Sequence, residues 1–340
     1  MELLIILNLY NTIKPILFTL PPEKAQGLAD YFLKHTPLPN FIEKTTRFEN
    51  SILNTHFAGI DFLNPIGLAA GWDKNCTLLS HLESFGFGYI TGGTITKNPR
   101  LGNKKPRMLR LKDQKGLINS LGFPGYGLEK VLAILSNTPE PKNNIRRILS
   151  ISGENIEDIN ECHKSLEKYA SAIEINISSP NTEGLKVFQK TDTLKELIIE
   201  INKGRKKPLF IKVPPYDASL QNAASKEVLD LIRICIDQNV EAITLANTKP
   251  VNNNNLAVGK GGLSGSPLIN NTISMVKEVS KVYGSYIDIN ACGGVSTGKQ
   301  TFELLESGAS SVQIYTSIVY EGPSIVKKIN RELVRELKEK

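Results

Sequence analysis

The sequence predicts an α/β fold, a (β/α)8 TIM barrel preceded by an N-terminal helical extension. From residue 64 onward eight β-rich runs alternate with helical stretches. Most of these runs are continuously apolar, the pattern of parallel strands covered on both faces. Eight such units in roughly 270 residues match a closed barrel. The rival, an open doubly wound sheet, would carry GxGxxG after its first strand, and none is there.

The first twenty residues, MELLIILNLYNTIKPILFTL, are apolar but broken by Asn8, Asn11, Thr12, Lys14 and Pro15. They fall short of the roughly 20 mainly apolar residues of a spanning helix. Glu2 and the lack of an early lysine argue against a secretory leader. In the next stretch Ala25, Leu28, Ala29, Phe32 and Leu33 share a helical face. Two amphipathic helices joined near Pro21-Pro22 read equally as a lid or monotopic membrane foot and as a helix pair packed on the main domain. Strands are expected at 64–70, 89–96, 146–152, 172–178, 208–213, 242–247, 286–291 and 311–316. Helices are expected at 76–85, 156–169, 193–203, 222–238, 268–282, 298–307 and 323–338. Segment 97–145 is too long for a simple connection, so it is expected to pass over the barrel mouth; residues 252–255, all asparagine, sit in a second long loop.

Composition narrows the function classes. Of 340 residues, 40% are apolar and 22% charged, which excludes a disordered, collagenous or coiled-coil chain. Cys76, Cys162, Cys235 and Cys292 lie far apart with no CxxC pair, which argues against a disulfide scaffold or a Cys-rich metal site and fits a reducing compartment. The net charge of +7 is spread along the chain. It implies mild attraction to anions or an anionic membrane surface, not nucleic acid.

Active residues of a barrel belong at the C-terminal ends of its strands. Those ends carry AAGWDKN, GGTITKNP, NISSPNTEG, IKVPP, ANT, CGG and IYTS. The set is rich in amides, hydroxyls and small residues and holds two lysines, Lys74 and Lys212. With few carboxylates and no histidine cluster, it is a poor fit to hydrolytic metal chemistry, and no metal is expected. His35, His56, His81 and His163 match no catalytic pattern. Glycine pairs after strands 7 and 8 suit a phosphate held by backbone N–H groups, and the amides suit a planar, multiply hydrogen-bonded ligand.

Five motifs, IGLAAGWDKN (66–75), GNKKPRMLRL (102–111), INISSPNTEGL (175–185), GGLSGSPL (261–268) and VQIYTS (312–317), occur in this order. On these motifs the sequence resembles, over nearly its whole length, the dihydroorotate dehydrogenases, FMN enzymes of pyrimidine synthesis. The resemblance implies oxidation of dihydroorotate to orotate with hydride transfer to FMN. Ser179, where the soluble class carries Cys, and the apolar N-terminus point to the quinone-reducing class. That class implies a quinone tunnel in residues 1–40, a barrel domain over 41–340, and peripheral membrane contact through residues 1–35, at the cytoplasmic face in a prokaryote. By matching motifs, Ser179 is the base, with Thr182 and Phe123 beside it. Lys74, Asn119, Gly122, Phe123, Asn176, Asn181, Asn247 and Thr248 match the substrate contacts. Ala70, Gly71, Lys74, Thr94, Asn176, Lys212, Gly265, Gly294, Tyr315 and Thr316 match the flavin contacts, with Lys212 near the N1–O2 edge.

Blander readings stand beside these. Ser179 also fits a turn in SSPN, Lys74 a surface lysine and the asparagines loop formers, while Trp72 reads equally as core packing and as a stack near the mouth or flavin; Lys212, inside an apolar strand, needs a partner. The sequence departs from the quinone-class pattern at Ser120, Ile151, Ala246 and Ser266 and at Lys97-Asn98. These departures bear on flavin affinity and the acceptor more than on the reaction. They keep two alternatives open: a soluble-type enzyme using fumarate or a partner flavoprotein, and a non-catalytic flavin-binding paralogue.

Overall fold

The computed structural model describes residues 2–142, 144–178, 187–220 and 222–340, with the backbone alone over 2–9. Eight parallel strands close into a barrel in chain order: Ile66–Leu68, Tyr89–Ile95, Arg146–Ile151, Ala172–Asn176, Leu209–Lys212, Ala242–Leu245, Asp288–Cys292 and Ser311–Ile314. The last pairs with the first through Val312 opposite Ile66. All eight fall within or against the expected runs. Their inner face is more polar than continuous apolar strands would give. Glu174, Asn176, Lys212, Thr244, Asn290 and Gln313 are buried on alternate positions, while Ile173, Ile175, Ile211 and Ile243 pack outward under the helices.

The helices follow from caps and spacing. In Ile156–Leu166, Asn155 accepts from Asp158 N at 2.8 Å, and Ile159, Cys162 and Leu166 face the barrel. Asn222 and Thr297 cap the helices Ala223–Asp237 and Gly298–Glu306 in the same way. The helix expected over 76–85 is shorter, Leu79–Leu82 followed by a 3-10 turn to Phe85. There Asp73 accepts from the Thr77 and Leu78 N–H groups, which holds the preceding residues in a loop.

Segment 97–145 passes over the barrel mouth as expected, but its strands and helix, and a hairpin at the barrel floor, were not expected. A hairpin, Thr55–Phe57 and Ile60–Phe62, plugs the barrel floor, where Phe57 and Phe62 pack on Tyr89 and Phe210. Segment 97–145 adds the strands Met108–Leu111 and Gly116–Asn119, which pair with Lys260–Gly265 and Lys249–Asn252 in an antiparallel sheet roofing the mouth. It also contains the helix Leu128–Leu135.

At the N-terminus α1 (Glu2–Leu17), α2 (Pro22–His35) and α3 (Leu38–Thr46) lie against this frame. The turn near Pro21-Pro22 is where expected, and Pro22 sits at a helix start, where its missing N–H costs nothing. Pro15 does not break α1; it stands in the final turn. Among the described residues no helix is long and apolar enough to cross a membrane. Tyr10 Oη donates to Val319 O at 2.6 Å and Lys14 Nζ to Tyr320 O at 3.0 Å, tying α1 to the barrel. Arg107 donates to Glu23 Oε1 at 2.8 and 3.1 Å, and Arg110 to Leu20 O at 2.7 Å, tying α2 to the roof.

Candidate active site

One cavity occupies the C-terminal mouth of the barrel beneath the roof sheet. Ala70, Gly71 and Lys74 line it from the first strand's loop, Thr94 from the second strand, and Asn176 and Lys212 from the fourth and fifth. Asn247 and Thr248, then Gly294, Tyr315 and Thr316, follow from the later strands, and Asn119, Gly122, Phe123 and Gly265 come from the roof. These are all the site residues expected from the motifs, apart from Ser179, Asn181 and Thr182, which lie outside the described residues.

An amide and hydroxyl network holds one side. Asn176 Nδ2 donates to Thr94 Oγ1 at 3.4 Å, and Asn176 Oδ1 accepts from Ser178 N and Oγ at 3.1 and 2.8 Å. Asn247 Nδ2 donates to Ser178 Oγ at 2.9 Å, and Asn247 Oδ1 accepts from Thr248 N at 2.7 Å. Ser178 is thus the buried hub between two expected amides, and the motif reading passed over it. Asn119 Nδ2 donates to Gly262 O at 3.5 Å across the roof.

Lys212 ends the fifth strand only 5% exposed. Among the described residues its hydrogen-bond partner is Cys292 Sγ at 3.9 Å. Burial works against its charge, but Cys292 and Glu174 outweigh burial and raise its pKa. Burial raises the Cys292 pKa, against the opposing pull of Lys212. Burial lowers the Lys74 pKa against the opposing pull of Asp30 and Glu23.

The backbone on the far side forms a cradle. Gly265 (φ +96°) would place a Cβ 2.4 Å from Lys115 O, and Gly294 (φ +83°) one 2.5 Å from Ile269 N, so neither position admits a side chain. Thr316 Oγ1 and Ser264 Oγ lie 2.9 Å apart beside them. The expected glycine pair follows strand 7, as Gly293-Gly294; none follows strand 8, which ends on Tyr315-Thr316, and the other pair, Gly261-Gly262, belongs to the roof.

The departures now have positions. Ile151 is a fully buried wall residue, and its neighbour Ser150 instead meets Thr94 Oγ1 at 3.0 Å. Ser120 is fully buried, its Oγ without a hydrogen-bond partner among the described residues, while Ala246 and Ser266 line the cavity. Lys97, the changed basic position, pairs on the surface with Asp158 and Glu161.

A second cavity of about 450 Å³, almost wholly apolar, lies between α1, α2, α3 and the barrel. Leu17, Ala29, Phe32 and Leu33 line it, with Gln26 and Arg110 as polar groups. Met108, Leu117 and Tyr315 line both cavities and form their common wall. Trp72, which packing alone left undecided, tilts against Tyr315 with centroids 5.3 Å apart. Gln26 lies in no motif, and Trp72 and Arg110, though inside motifs 66–75 and 102–111, take no role there; only the docking of α2 on the roof brings the three together.

Comparison with known proteins agrees with this geometry. The family model described as dihydroorotate dehydrogenase matches residues 52–337. The "Dihydroorotate dehydrogenase (quinone)" of Christiangramia forsetii is 32% identical over 95% of this chain and 98% of its own. That of Sulfurimonas denitrificans is 34% identical over 97% and 95%. The Eimeria tenella DHODH structure in complex with ferulenol superposes with a TM-score of 0.82 at 27% identity, covering 94% of this chain and 92% of that one. A barrel mouth lined by these motifs, an apolar cavity built by the N-terminal helices and relatives matched end to end lead to one conclusion: the chain belongs to the dihydroorotate dehydrogenase family.

Proposed function

We propose that this chain performs its family's reaction, oxidation of dihydroorotate to orotate with a quinone as acceptor, using FMN at the barrel mouth and Ser179 as base. One observation carries the reading: a polar cavity holding two lysines shares the wall Met108, Leu117 and Tyr315 with an apolar cavity that opens among the N-terminal helices. Electrons can cross such a wall while dihydroorotate and quinone stay in separate environments.

The residues present fit a flavin mononucleotide. The Gly265 and Gly294 cradle leaves backbone room for a phosphate. Gln313 Oε1 is buried without a hydrogen-bond partner among the described residues. Lys212 supplies a buried cation for the electron-rich N1–O2 edge of the isoalloxazine. FMN bound there would supply the two-electron redox chemistry that joins dihydroorotate oxidation to quinone reduction.

The protein does the rest. Asn119, Asn176, Asn181, Asn247 and Thr248 hold the pyrimidine, and Lys74 meets its carboxylate with a charge-assisted bond. Gly122 and Phe123 close over the ring from the roof. Ser179 takes the C5 proton; a serine hydroxyl is a weak base, so it acts through a relay with Thr182 while the roof excludes bulk water. Residues 1–40 are the quinone-side segment and residues 41–340 the FMN-binding barrel domain. Ile16 and Tyr31 are 67% and 58% exposed, and Phe32 and Phe41, at the rim of the apolar cavity, are exposed as well, on helices that also carry Lys24, Lys34 and Lys44. That face suits peripheral contact with an anionic membrane.

The test is Ser179→Ala, with flavin reduction by dihydroorotate followed without oxygen. Flavin content is expected to be unchanged and reduction to slow by roughly 10²–10⁴-fold. Reduction at the unmodified rate would remove Ser179 from the base role.

A further inference from the structure

Quinone reduction needs a proton that the apolar cavity is poorly equipped to give. Dihydroorotate loses two hydrogens and the quinone gains two. The C6 hydrogen leaves with the electron pair. The C5 hydrogen leaves as a proton on the substrate side; with electrons alone crossing the wall, the C6 hydrogen is also left on that side as a proton, so the quinone must take two protons on its own side, one at a time. Among the described residues, the titratable groups lining the apolar cavity are Tyr10, Arg110 and Tyr315. Burial pushes Tyr10 up to about 12 and Tyr315 higher still, and arginine does not deprotonate near neutrality.

A third cavity, polar and about 700 Å³, lies on the other side of Gln26 and Trp72, which line both. Gln26 Nε2 donates to Trp72 O at 3.0 Å, closing that wall with a single hydrogen bond. Asp30, one helical turn beyond Gln26 on α2, lines the polar cavity. Asp30 Oδ1 and Trp72 Nε1 are both buried without a hydrogen-bond partner among the described residues.

We propose that this polar cavity is the proton inlet of the quinone site, with Asp30 as the relay carboxyl that passes a proton through water at the Gln26–Trp72 wall to a quinone oxygen. The inference rests on the quinone reading above. The proton enters from solvent, resides on Asp30 and ends on the quinone oxygen, and Asp30 is reprotonated from the cavity. The charges facing Asp30 are Asp73 and Lys74 from the barrel loop and Lys34 on its own helix, with Glu23, Arg100 and Lys130 elsewhere in the cavity lining. Burial first, then Asp73, raises the Asp30 pKa to about 6, against the pull of Lys34 and Lys74. A relay works best with a pKa near the working pH. Asp30 also acts electrostatically on Tyr315, the residue common to the apolar and barrel-mouth cavities.

The test uses the full-length holoenzyme, reduced with dihydroorotate and reoxidised by either a short-chain ubiquinone or ferricyanide, which takes electrons without protons. In the unsubstituted protein, the ubiquinone rate is expected to fall about tenfold per pH unit above the Asp30 pKa, while the ferricyanide rate stays flat. Asp30→Asn should remove that limb and slow ubiquinone reduction at least about tenfold, leaving ferricyanide reoxidation and reduction by dihydroorotate within about twofold. Asp30→Glu should restore the limb, and an infrared carboxyl band absent from Asp30→Asn should titrate with the same midpoint. Equal slowing with both oxidants, or an unsubstituted protein that reduces ubiquinone without the limb, overturns the relay alone. An unsubstituted protein that reduces no quinone at any pH overturns the acceptor reading and the relay with it.

Discussion

Trp72 and Tyr315 meet ring against ring, centroids 5.3 Å apart and planes at 59°. Tyr315 walls both the barrel-mouth and apolar cavities, and Trp72 walls both the apolar and polar ones, so this pair stands where all three converge. Substrate, acceptor and proton can each have a separate chamber around one aromatic contact.

Filling the apolar chamber should separate the two halves of the reaction. Ala29 lines it on α2. Ala29→Trp is expected to cut ubiquinone reduction at least about tenfold while dihydroorotate still reduces the flavin at its normal rate, because uniform loss of acceptor binding leaves the first chemical step alone. Stopped-flow absorbance of each half-reaction checks this.

The cradle gives a second prediction. Gly294→Ala forces a Cβ to within 2.5 Å of Ile269 N at a φ of +83°. The purified protein should lose most of its bound flavin, measured by the ratio of flavin to protein absorbance, and melt several degrees lower.

Lys212 and Glu174 form a buried electrostatic couple, and Glu174 is fully buried with Thr244 Oγ1 donating to it at 2.7 Å. Lys212→Ala should cost about 3 kcal/mol in denaturant unfolding of the flavin-free protein, since it strands a buried carboxylate. Adding Glu174→Gln should recover part of that loss; a fully additive double variant would show that the two do not interact.

The eight strands were legible because their outward faces are β-branched and apolar, as in Ile173, Ile175, Ile211 and Ile243. Lys74 and Lys212 were legible at strand ends; the other site residues were legible only through the family motifs, and Asn119, Gly122, Phe123 and Gly265 stand in the roof. The floor hairpin and the roof sheet were not legible: strands such as Met108–Leu111 and Lys249–Asn252 are half-exposed or exposed and carry no buried apolar run, and Gly262 pairs with Asn119 far away in sequence. Pro37 and Pro39 disguised α3, and LEKVLAIL was lost inside a segment taken as a loop. Asp30, Gln26 and Arg110 gain meaning only when α2 docks on the roof, a tertiary event with no local signature.

Asp30 also sets a pH trend in stability. Its folded pKa of about 6 lies above the ordinary aspartate value of 3.8. Between those values the folded protein binds more protons than the unfolded chain, so its contribution weakens as pH rises through that window and stays weak above it. Asp30→Asn removes that penalty. The variant should melt a few degrees higher than the unsubstituted protein at pH 7.5, with the advantage shrinking toward pH 4. An advantage that grows on acidification would contradict the assigned burial.

The most direct measurement is the colour of the holoenzyme without oxygen. Dihydroorotate should bleach the flavin absorbance in a single turnover, and ubiquinone, not fumarate, should bring it back. A flavin that stays oxidised with dihydroorotate, or one that fumarate restores and ubiquinone does not, would contradict the account.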